Sequence, residues 1–340
     1  MDLDRLAGPL GEVLSERFGP GTRVRGLRRG GGGASRVTCA FEAVAADGAA
    51  VPLILRLGTP GASASGPLTR EAALIRAASR AGVPGPEVIA AGDADGPLGV
   101  EFVVMERIAG ETIPRRILRD PALAGVRPRL AARCGEILAA VHRIPAGEVP
   151  GLDGGDQLDA WRAVLAAAPE PYPALEFALR WLDRNRPAAR SPVVVHGDFR
   201  NGNLIIGPDG VRAVLDWELA HLGDPLEDLG WLCAKAWRFG EPEPVGGFGG
   251  YDDLVSGYER AGGGPVDRDA LRWWEMFGTA RWGIICVMQA GRHRAGAERS
   301  VELAALGRRV AENEWDLLRM IPGRPPRADV SGSRSGGRRR

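Results

Sequence analysis

The chain has 340 residues, of which 44% are hydrophobic and 26% are charged, so it has the composition of a folded protein with a sizeable core. Its 44 basic and 43 acidic residues leave a net charge of +1. This balance argues against a general binder of nucleic acids or anionic membranes, because such proteins carry a basic excess. Lys235 is the only lysine, so a function that ordinarily uses a lysine elsewhere must use arginine here.

The cysteines indicate a reducing compartment. The four cysteines lie far apart and form no C-x-x-C pair, which argues against a zinc site and against a disulfide framework. The first 17 residues are charged and amphipathic, unlike a signal peptide. No apolar run reaches the length of about 18 residues that a transmembrane helix needs. We therefore expect a cytoplasmic protein without a membrane span.

The first 106 residues carry the signals of a small sheet with an inserted helix. Apolar residues at helical spacing from Leu3 to Phe18 predict a first helix that ends before Gly19-Pro20. Alternation of apolar and polar residues then predicts strands, and Asp47-Gly48 predicts a hairpin turn between two of them. We predict a helix over residues 68–81 and five strands, at residues 23–28, 37–43, 51–57, 88–91 and 101–106.

From Ile108 the pattern becomes mostly helical. The last residues are rich in Gly, Pro, Ser and Arg, which is typical of disorder. We predict an N-terminal nucleotide-binding lobe over residues 1–106, a C-terminal catalytic and acceptor-binding lobe over 107–323, and a disordered Arg-rich tail over 324–340.

One segment concentrates polar residues with the spacing of a catalytic site. His196-Gly197-Asp198 is followed by Asn203, five residues after the aspartate. Two short apolar runs joined by Pro208-Asp209-Gly210 predict a hairpin, and Asp216-Trp217-Glu218 follows it. The hairpin places Asn203 at the start of one strand and Asp216 at the end of its partner, so both side chains lie at one edge, within reach of Asp198.

The predicted cluster is rich in oxygen ligands. Mg²⁺ prefers such ligands and takes one or two from carboxylates, the others coming from phosphates and water. Phosphoryl transfer requires an aspartate that receives the proton of the acceptor hydroxyl and an Asn–Asp pair that holds the metal. The spacing of Asp198, Asn203 and Asp216 therefore predicts a phosphoryl-transfer site.

The motif H-G-D-x-x-x-x-N, followed by the hairpin and D-W-E, resembles the aminoglycoside phosphotransferase/choline kinase-like family over about residues 20–320. The resemblance implies an α+β, bilobal protein-kinase-like fold, in which a small lobe with a five-stranded antiparallel sheet and one helix precedes a larger, mostly helical lobe. It implies an ATP-dependent O-phosphotransferase with an alcohol group as acceptor. Asp198 then matches the catalytic base, Asn203 and Asp216 match the Mg²⁺ ligands, and Glu218 matches a position that assists the metal.

The small lobe resembles the nucleotide-binding lobe of the same family. The glycine-rich run that ends at Ser35 is similar to the loop over the ATP phosphates, and we expect Gly32, Gly33 and Ser35 to bind them. No G-K-[ST] follows this run, so it is not a Walker A loop. Arg56 occupies the third-strand position that is lysine in typical kinases, and Glu71 matches the glutamate that pairs with it.

The segment from Val104 to Ile108 resembles the hinge between the lobes. In this family the hinge backbone binds the adenine, so the resemblance implies that Glu106 and Ile108 make these contacts.

A longer stretch, from Asp216 to Leu229, resembles the kinase-domain branch of acyl-CoA dehydrogenase family members 10 and 11. That branch also commonly has arginine at the position of Arg56. It implies hydroxyacyl-type acceptors, whereas the wider family implies aminoglycoside-like acceptors, and the sequence leaves both open. The alternative to an enzyme is a catalytically silent, nucleotide-binding pseudokinase, which only the arginine at position 56 favours. We expect a small-molecule hydroxyl acceptor as partner, no nucleic acid and no membrane; the choice between ATP and GTP and the oligomeric state are left open.

Overall fold

The computed structural model describes residues 3–30, 36–58 and 67–322. The predicted phosphate-binding residues Gly32, Gly33 and Ser35 and the predicted tail lie outside the described residues. The chain divides into two compact units, one formed by Met1–Ala160 with Arg186–Gly278 and the other by Trp161–Asn185 with Thr279–Arg340. The predicted boundary between two lobes at residues 106 and 107 stays a prediction.

A five-stranded antiparallel sheet occupies the N-terminal part of the first unit, as the family resemblance implied. Its spatial order is β1-β2-β3-β5-β4. The strands are β1 (Arg23–Arg29), β2 (Val37–Val44), β3 (Ala50–Leu57), β4 (Val88–Gly92) and β5 (Phe102–Glu106). The fold class predicted for the chain is therefore confirmed.

The described part of the chain contains ten α-helices. They are α1 (Ala7–Phe18), α2 (Leu68–Arg80), α3 (Pro114–Arg119), α4 (Arg127–Val141), α5 (Gln157–Ala166), α6 (Pro173–Arg184), α7 (Leu226–Cys233), α8 (Tyr251–Arg260), α9 (Arg268–Arg294) and α10 (Val301–Met320).

The central strand β3 shows why one face of the sheet is apolar and the other carries the charged residue Arg56. Leu53, Leu55 and Leu57 are fully buried and belong to the core that also includes leucines of α1. Successive side chains of a strand point to opposite faces. Ile54 and Arg56 therefore lie on the other face of the sheet, where α2 packs.

The first unit also contains two small two-stranded sheets that carry the predicted catalytic segment. β6 (Val193–Val195) pairs with β9 (His221–Gly223), and β7 (Leu204–Gly207) pairs with β8 (Gly210–Val214). The β7–β8 hairpin is the one predicted from the sequence. The sequence did not predict β9 or α3, because three residues are too few for an alternating pattern and α3 has only six.

Helices α4 and α8 approach each other closely in the first unit. A Cβ on Gly257 of α8 would lie 2.1 Å from the carbonyl oxygen of Ala132 in α4. Small residues at such a crossing allow backbones to come nearer than side chains would permit. The close packing places His142, directly after α4, beside Tyr258 of α8, with Nδ1 of the ring 2.9 Å from the hydroxyl oxygen.

The second unit is helical in its described part. Gly283 faces Leu175 of α6 and Asn313 of α10, and a Cβ at Gly283 would lie 2.9 Å from the Leu175 side chain. The guanidinium of Arg281 lies 5.3 Å from the ring centre of Trp161 in the same unit.

The four cysteines are buried and form no disulfide. None of the helices in the described part of the chain has the length and apolar character that crossing a bilayer requires. The cytoplasmic location expected from the sequence stays a prediction.

Candidate active site

Strand β6 leads into the turn that carries the predicted base, Asp198. Gly197 in this turn has a φ of 77°, and a Cβ there would lie 2.3 Å from the carbonyl oxygen of Leu219. Both the backbone conformation and the space therefore require glycine. The turn is held by Asp228 of α7, whose carboxylate accepts the amide hydrogens of His196 and Gly197 at 2.7 and 2.9 Å.

Asp228 is fully buried and contacts a second element as well. Its Oδ2 lies 3.3 Å from Nε2 of His142. Burial raises the pKa of Asp228, but the hydrogen bond and charge of His142, together with His196, outweigh it and hold the pKa below its ordinary value. The carboxylate of Asp228 thus links α7 and the end of α4 to the turn that carries Asp198.

His196 connects this turn to the far end of the β7–β8 hairpin. Its Nδ1 accepts the amide hydrogen of Asp198 at 3.1 Å, and its Nε2 lies 3.1 Å from the carbonyl oxygen of Leu215. These partners fit a neutral ring that carries its proton on Nε2. Burial lowers the pKa of His196 below its ordinary value of 6.5. The ring therefore binds the backbone on both sides of the site.

Three side chains donate hydrogen bonds to the carboxylate of Asp198. Nδ2 of Asn203 lies 2.6 Å from Oδ2, and Nε1 of Trp231 lies 2.8 Å from Oδ1. Nε of Arg200 lies 3.2 and 3.3 Å from the two oxygens, while its guanidinium stacks over Trp237 with 4.5 Å to the ring centre. Asp198 is thereby fixed in one orientation.

The hairpin brings Asn203 and Asp216 to one edge, as the sequence predicted. Leu204 is paired with Val214, and the amide of Leu215 donates to the carbonyl oxygen of Asn203 at 2.8 Å. Asp216 then adopts a left-handed conformation with φ of 68°. Such strain in a residue other than glycine is common at functional sites.

The predicted pair of Arg56 and Glu71 is formed. Nη1 of Arg56 donates to Oε1 of Glu71, and its Nη2 lies 3.2 Å from Oδ1 of Asp216. A second arginine, Arg36, donates through Nη1 to Oε2 of the same glutamate. The Nε of Arg36 also lies 3.9 Å from Oε2 of Glu218. Glu218, predicted to assist the metal, therefore faces an arginine.

Glu71 is only 2% exposed and lies between these cations. Burial raises its pKa above the ordinary value and outweighs the opposite effect of Arg56 and Arg36, while Asp216 and Glu218 raise it further. The cluster thus contains three carboxylates and two guanidiniums close together.

A cavity of about 510 Å³ opens beside this cluster. Its walls come from β3, α2, the segment after β5, and the β7–β8 hairpin. Among the predicted site residues, the cavity is lined by Arg56, Glu71, Glu106, Ile108, Asn203 and Asp216. The rest of the lining is largely apolar and includes Ile54, Ile75, Met105, Ile205 and Val214.

The end of β5 and the residues after it line one side of the cavity, and two of their backbone amides are already hydrogen-bonded within the chain. The amide of Glu106 donates to the carbonyl oxygen of Glu87, and the amide of Arg107 donates to that of Pro52. Glu106 and Ile108 both line the cavity, and their contact with an adenine stays a prediction.

The donor set at the mouth of the hairpin fits a hard divalent cation. Asn203 directs its amide nitrogen to Asp198, so its carbonyl oxygen is the atom left to act as a metal ligand. Asp216 supplies a carboxylate at the same edge. No cluster of three or more His, Cys, Asp and Glu able to hold a metal occurs among the described residues. An Asn–Asp pair that needs phosphate and water to complete the coordination suits Mg²⁺ better than a metal bound wholly by protein.

Sequence reasoning missed Arg36, Arg200, Trp231 and Trp237 in this site. Arg200 lies inside the H-G-D-x-x-x-x-N motif, two residues after Asp198, so the sequence could have indicated that the two side chains are close. The contributions of Trp231 and Arg36 depend on how α7 and the sheet fold back, which no local pattern indicates.

Residues 26–282 match the sequence profile of the phosphotransferase enzyme family. Acyl-CoA dehydrogenase family member 10 of Mus musculus is 33% identical over 181 residues, which cover 49% of this chain and 16% of that protein. The match thus spans less than a quarter of the relative's length. It confirms the resemblance predicted from the segment between Asp216 and Leu229.

Two solved structures show the same fold. A candidate aminoglycoside phosphotransferase from Ralstonia eutropha has a TM-score of 0.70 at 24% identity, covering 94% of this chain and 98% of that one. Macrolide 2′-phosphotransferase from Brachybacterium faecium has a TM-score of 0.57 at 20% identity, covering 96% and 99%. Because the family profile spans most of the chain, the chain belongs to the phosphotransferase enzyme family.

Proposed function

We propose that the chain transfers the γ-phosphoryl group of ATP, bound with Mg²⁺, to a hydroxyl group of a small molecule. One observation carries this proposal. Nδ2 of Asn203 donates a hydrogen bond to the carboxylate of Asp198 at 2.6 Å, and the carbonyl oxygen of Asn203 accepts one from the amide of Leu215, the residue before Asp216. The proposed base and the proposed metal-binding pair are therefore linked by hydrogen bonds. Phosphoryl transfer needs these groups together.

The nucleotide is proposed from the cavity and from the neighbours. The cavity joins an apolar region to a cationic end at Arg56, which suits a purine and its phosphates. Structural neighbours of this fold include an aminoglycoside phosphotransferase in complex with AMP-PNP and hygromycin B and a spectinomycin phosphotransferase in complex with ADP and spectinomycin. We propose that Glu106 and Ile108 contact the base, and that Gly32, Gly33 and Ser35 contact the phosphates.

The chemistry assigns one role to each side chain. Asp198 receives the proton of the acceptor hydroxyl as the hydroxyl oxygen forms its bond to the γ-phosphorus. The bond from that phosphorus to the bridging oxygen of ADP breaks in the same step, and ADP leaves. Asn203 and Asp216 would hold Mg²⁺, which neutralises phosphate charge when bound, and Glu218 would support it. Arg56 binds the α- and β-phosphates.

The surroundings of Asp198 favour a hydroxyacyl-type acceptor over an aminoglycoside-like one. Arg200 places a guanidinium within 3.3 Å of the base, stacked on Trp237. Because Arg200 is paired with Asp198, it offsets the negative charge that would otherwise attract a polycationic acceptor to the reacting hydroxyl. The similarity to part of the acyl-CoA dehydrogenase family members is consistent with this choice.

The decisive experiment is a phosphorylation assay with Mg²⁺-ATP and a panel of hydroxylated acceptors, hydroxyacyl thioesters and aminoglycosides included. We expect Asp198→Asn to lower kcat by about 10²–10⁴-fold, the usual contribution of a general base, while nucleotide binding persists. Asp252→Asn, in an exposed ion pair on α8, serves as the matched control. Nucleotide binding without turnover of any acceptor would favour the silent pseudokinase, and near-normal turnover by Asp198→Asn would remove Asp198 from the mechanism.

A further inference from the structure

A second arginine shares the glutamate that pairs with Arg56. Each oxygen of the Glu71 carboxylate has its own arginine partner, with Arg36 at Oε2 and Arg56 at Oε1. The Arg36 side chain is 6% exposed, compared with 15% for Arg56. Arg36 is not among the residues that line the cavity, whereas Arg56 and Glu71 are. Any effect of Arg36 on the cavity must therefore pass through its contacts with other side chains, such as Glu71.

The shape of the guanidinium explains why the sharing of Glu71 by two arginines affects the position of Arg56. An arginine and a carboxylate pair most strongly in a bidentate manner, with two N–H groups directed at two oxygens. A lone Arg56–Glu71 pair would adopt this form, and both outer nitrogens of Arg56 would then face α2. In the structure Arg36 contacts Oε2, and the contact of Arg56 with Glu71 is made through Nη1 at Oε1. Its Nη2 is directed instead at Asp216, 3.2 Å away at the cavity wall.

We infer that Arg36 is a positioning residue that holds Arg56 in a monodentate contact with Glu71 and so directs Nη2 of Arg56 to the cavity wall at Asp216, where the nucleotide phosphates are proposed to bind. The inference rests on the proposed function, since it assigns Arg56 to phosphate binding. A lysine in place of Arg56 has a single nitrogen and no bidentate form, so it would not need this restraint. Arg36 is therefore the partner that an arginine at this position requires.

The test is a direct binding measurement of Mg²⁺-AMP-PNP by calorimetry, with four proteins: the wild type, Arg36→Met, Arg56→Lys and the double variant. We expect Arg36→Met to raise the dissociation constant about tenfold or more, the loss of one charge-assisted hydrogen bond. In the Arg56→Lys background the same change should have less than about a threefold effect, because the bidentate form no longer exists.

Controls separate this inference from the proposal on which it depends. Arg25→Met removes an arginine from an exposed ion pair on β1 of the same sheet and should leave the dissociation constant unchanged. Absence of nucleotide binding by the wild type contradicts the proposed function. Binding by the wild type and equally by Arg36→Met overturns the inference, and so does an equal loss in both backgrounds. If Arg36→Met fails to fold, Arg36→Gln, which removes the charge but keeps a polar side chain, is measured in both backgrounds with the same outcomes.

Discussion

Arg56 is the residue that we propose binds the nucleotide phosphates, and its two outer nitrogens contact different carboxylates. We expect Arg56→Met to raise KM for Mg²⁺-ATP by about a hundredfold, because a buried charge-assisted contact is worth up to about 3 kcal/mol. Arg56→Lys should lose about tenfold, since one nitrogen replaces a fork. Steady-state kinetics at saturating acceptor measure both values.

The KM for the acceptor, measured on the same variant, shows which result would contradict the role proposed for Arg56. If Arg56→Met raises KM for the acceptor and leaves KM for Mg²⁺-ATP unchanged, Arg56 serves the acceptor and not the phosphates. Arg107→Met, next to the predicted hinge contacts on the cavity wall, is the control for removing a positive charge from the same cavity.

At the scale of the element, helix α7 holds the catalytic turn through Asp228. Asn in its place keeps the shape but can accept only one of the two amide hydrogens, and its NH₂ group faces the other amide. We expect Asp228→Asn to lower the free energy of unfolding by about 3 kcal/mol, the range for breaking a buried ionic contact. Urea unfolding followed by circular dichroism measures this change.

The same substitution should lower kcat at temperatures at which the variant is fully folded, because Asp198 follows directly after the turn that Asp228 holds. Asp252→Asn on α8 removes an exposed carboxylate and should change the free energy of unfolding by less than about 0.5 kcal/mol. If the free energy of unfolding of Asp228→Asn equals that of this control, the carboxylate of Asp228 is not needed to stabilise the turn.

At the scale of the whole molecule, the sequence predicted elements with long periodic patterns and missed those defined by distant partners. The five strands and the hairpin between Asn203 and Asp216 follow from alternation and turn residues close together in the chain. Strand β9 exists because it pairs with β6, more than two dozen residues earlier, and its own three residues carry no signal.

The same distinction applies to the candidate site. Asp198, Asn203 and Asp216 lie within one segment, so their spacing predicted their meeting. Glu71 was placed beside Arg56 by resemblance. The donors that only the tertiary structure brings in, such as Trp231 at Asp198, depend on packing between helices and turns that a single sequence does not reveal.

The buried position of His196 makes the stability of the whole fold depend on pH. Its lowered pKa means that the unfolded chain binds a proton near pH 6.5 while the folded ring stays neutral. The unfolded state then holds more protons than the folded state, so stability is lost as the pH falls below about 6.5, by at most about 1.4 kcal/mol per pH unit. We expect Tm to decrease between pH 7 and pH 5, and to decrease less steeply in His196→Asn, which cannot be protonated. Thermal unfolding across this range checks the slope, with His293→Asn in α9 as the control for loss of a histidine elsewhere in the chain. Equal slopes in the wild type and His196→Asn would show that the acid sensitivity arises elsewhere.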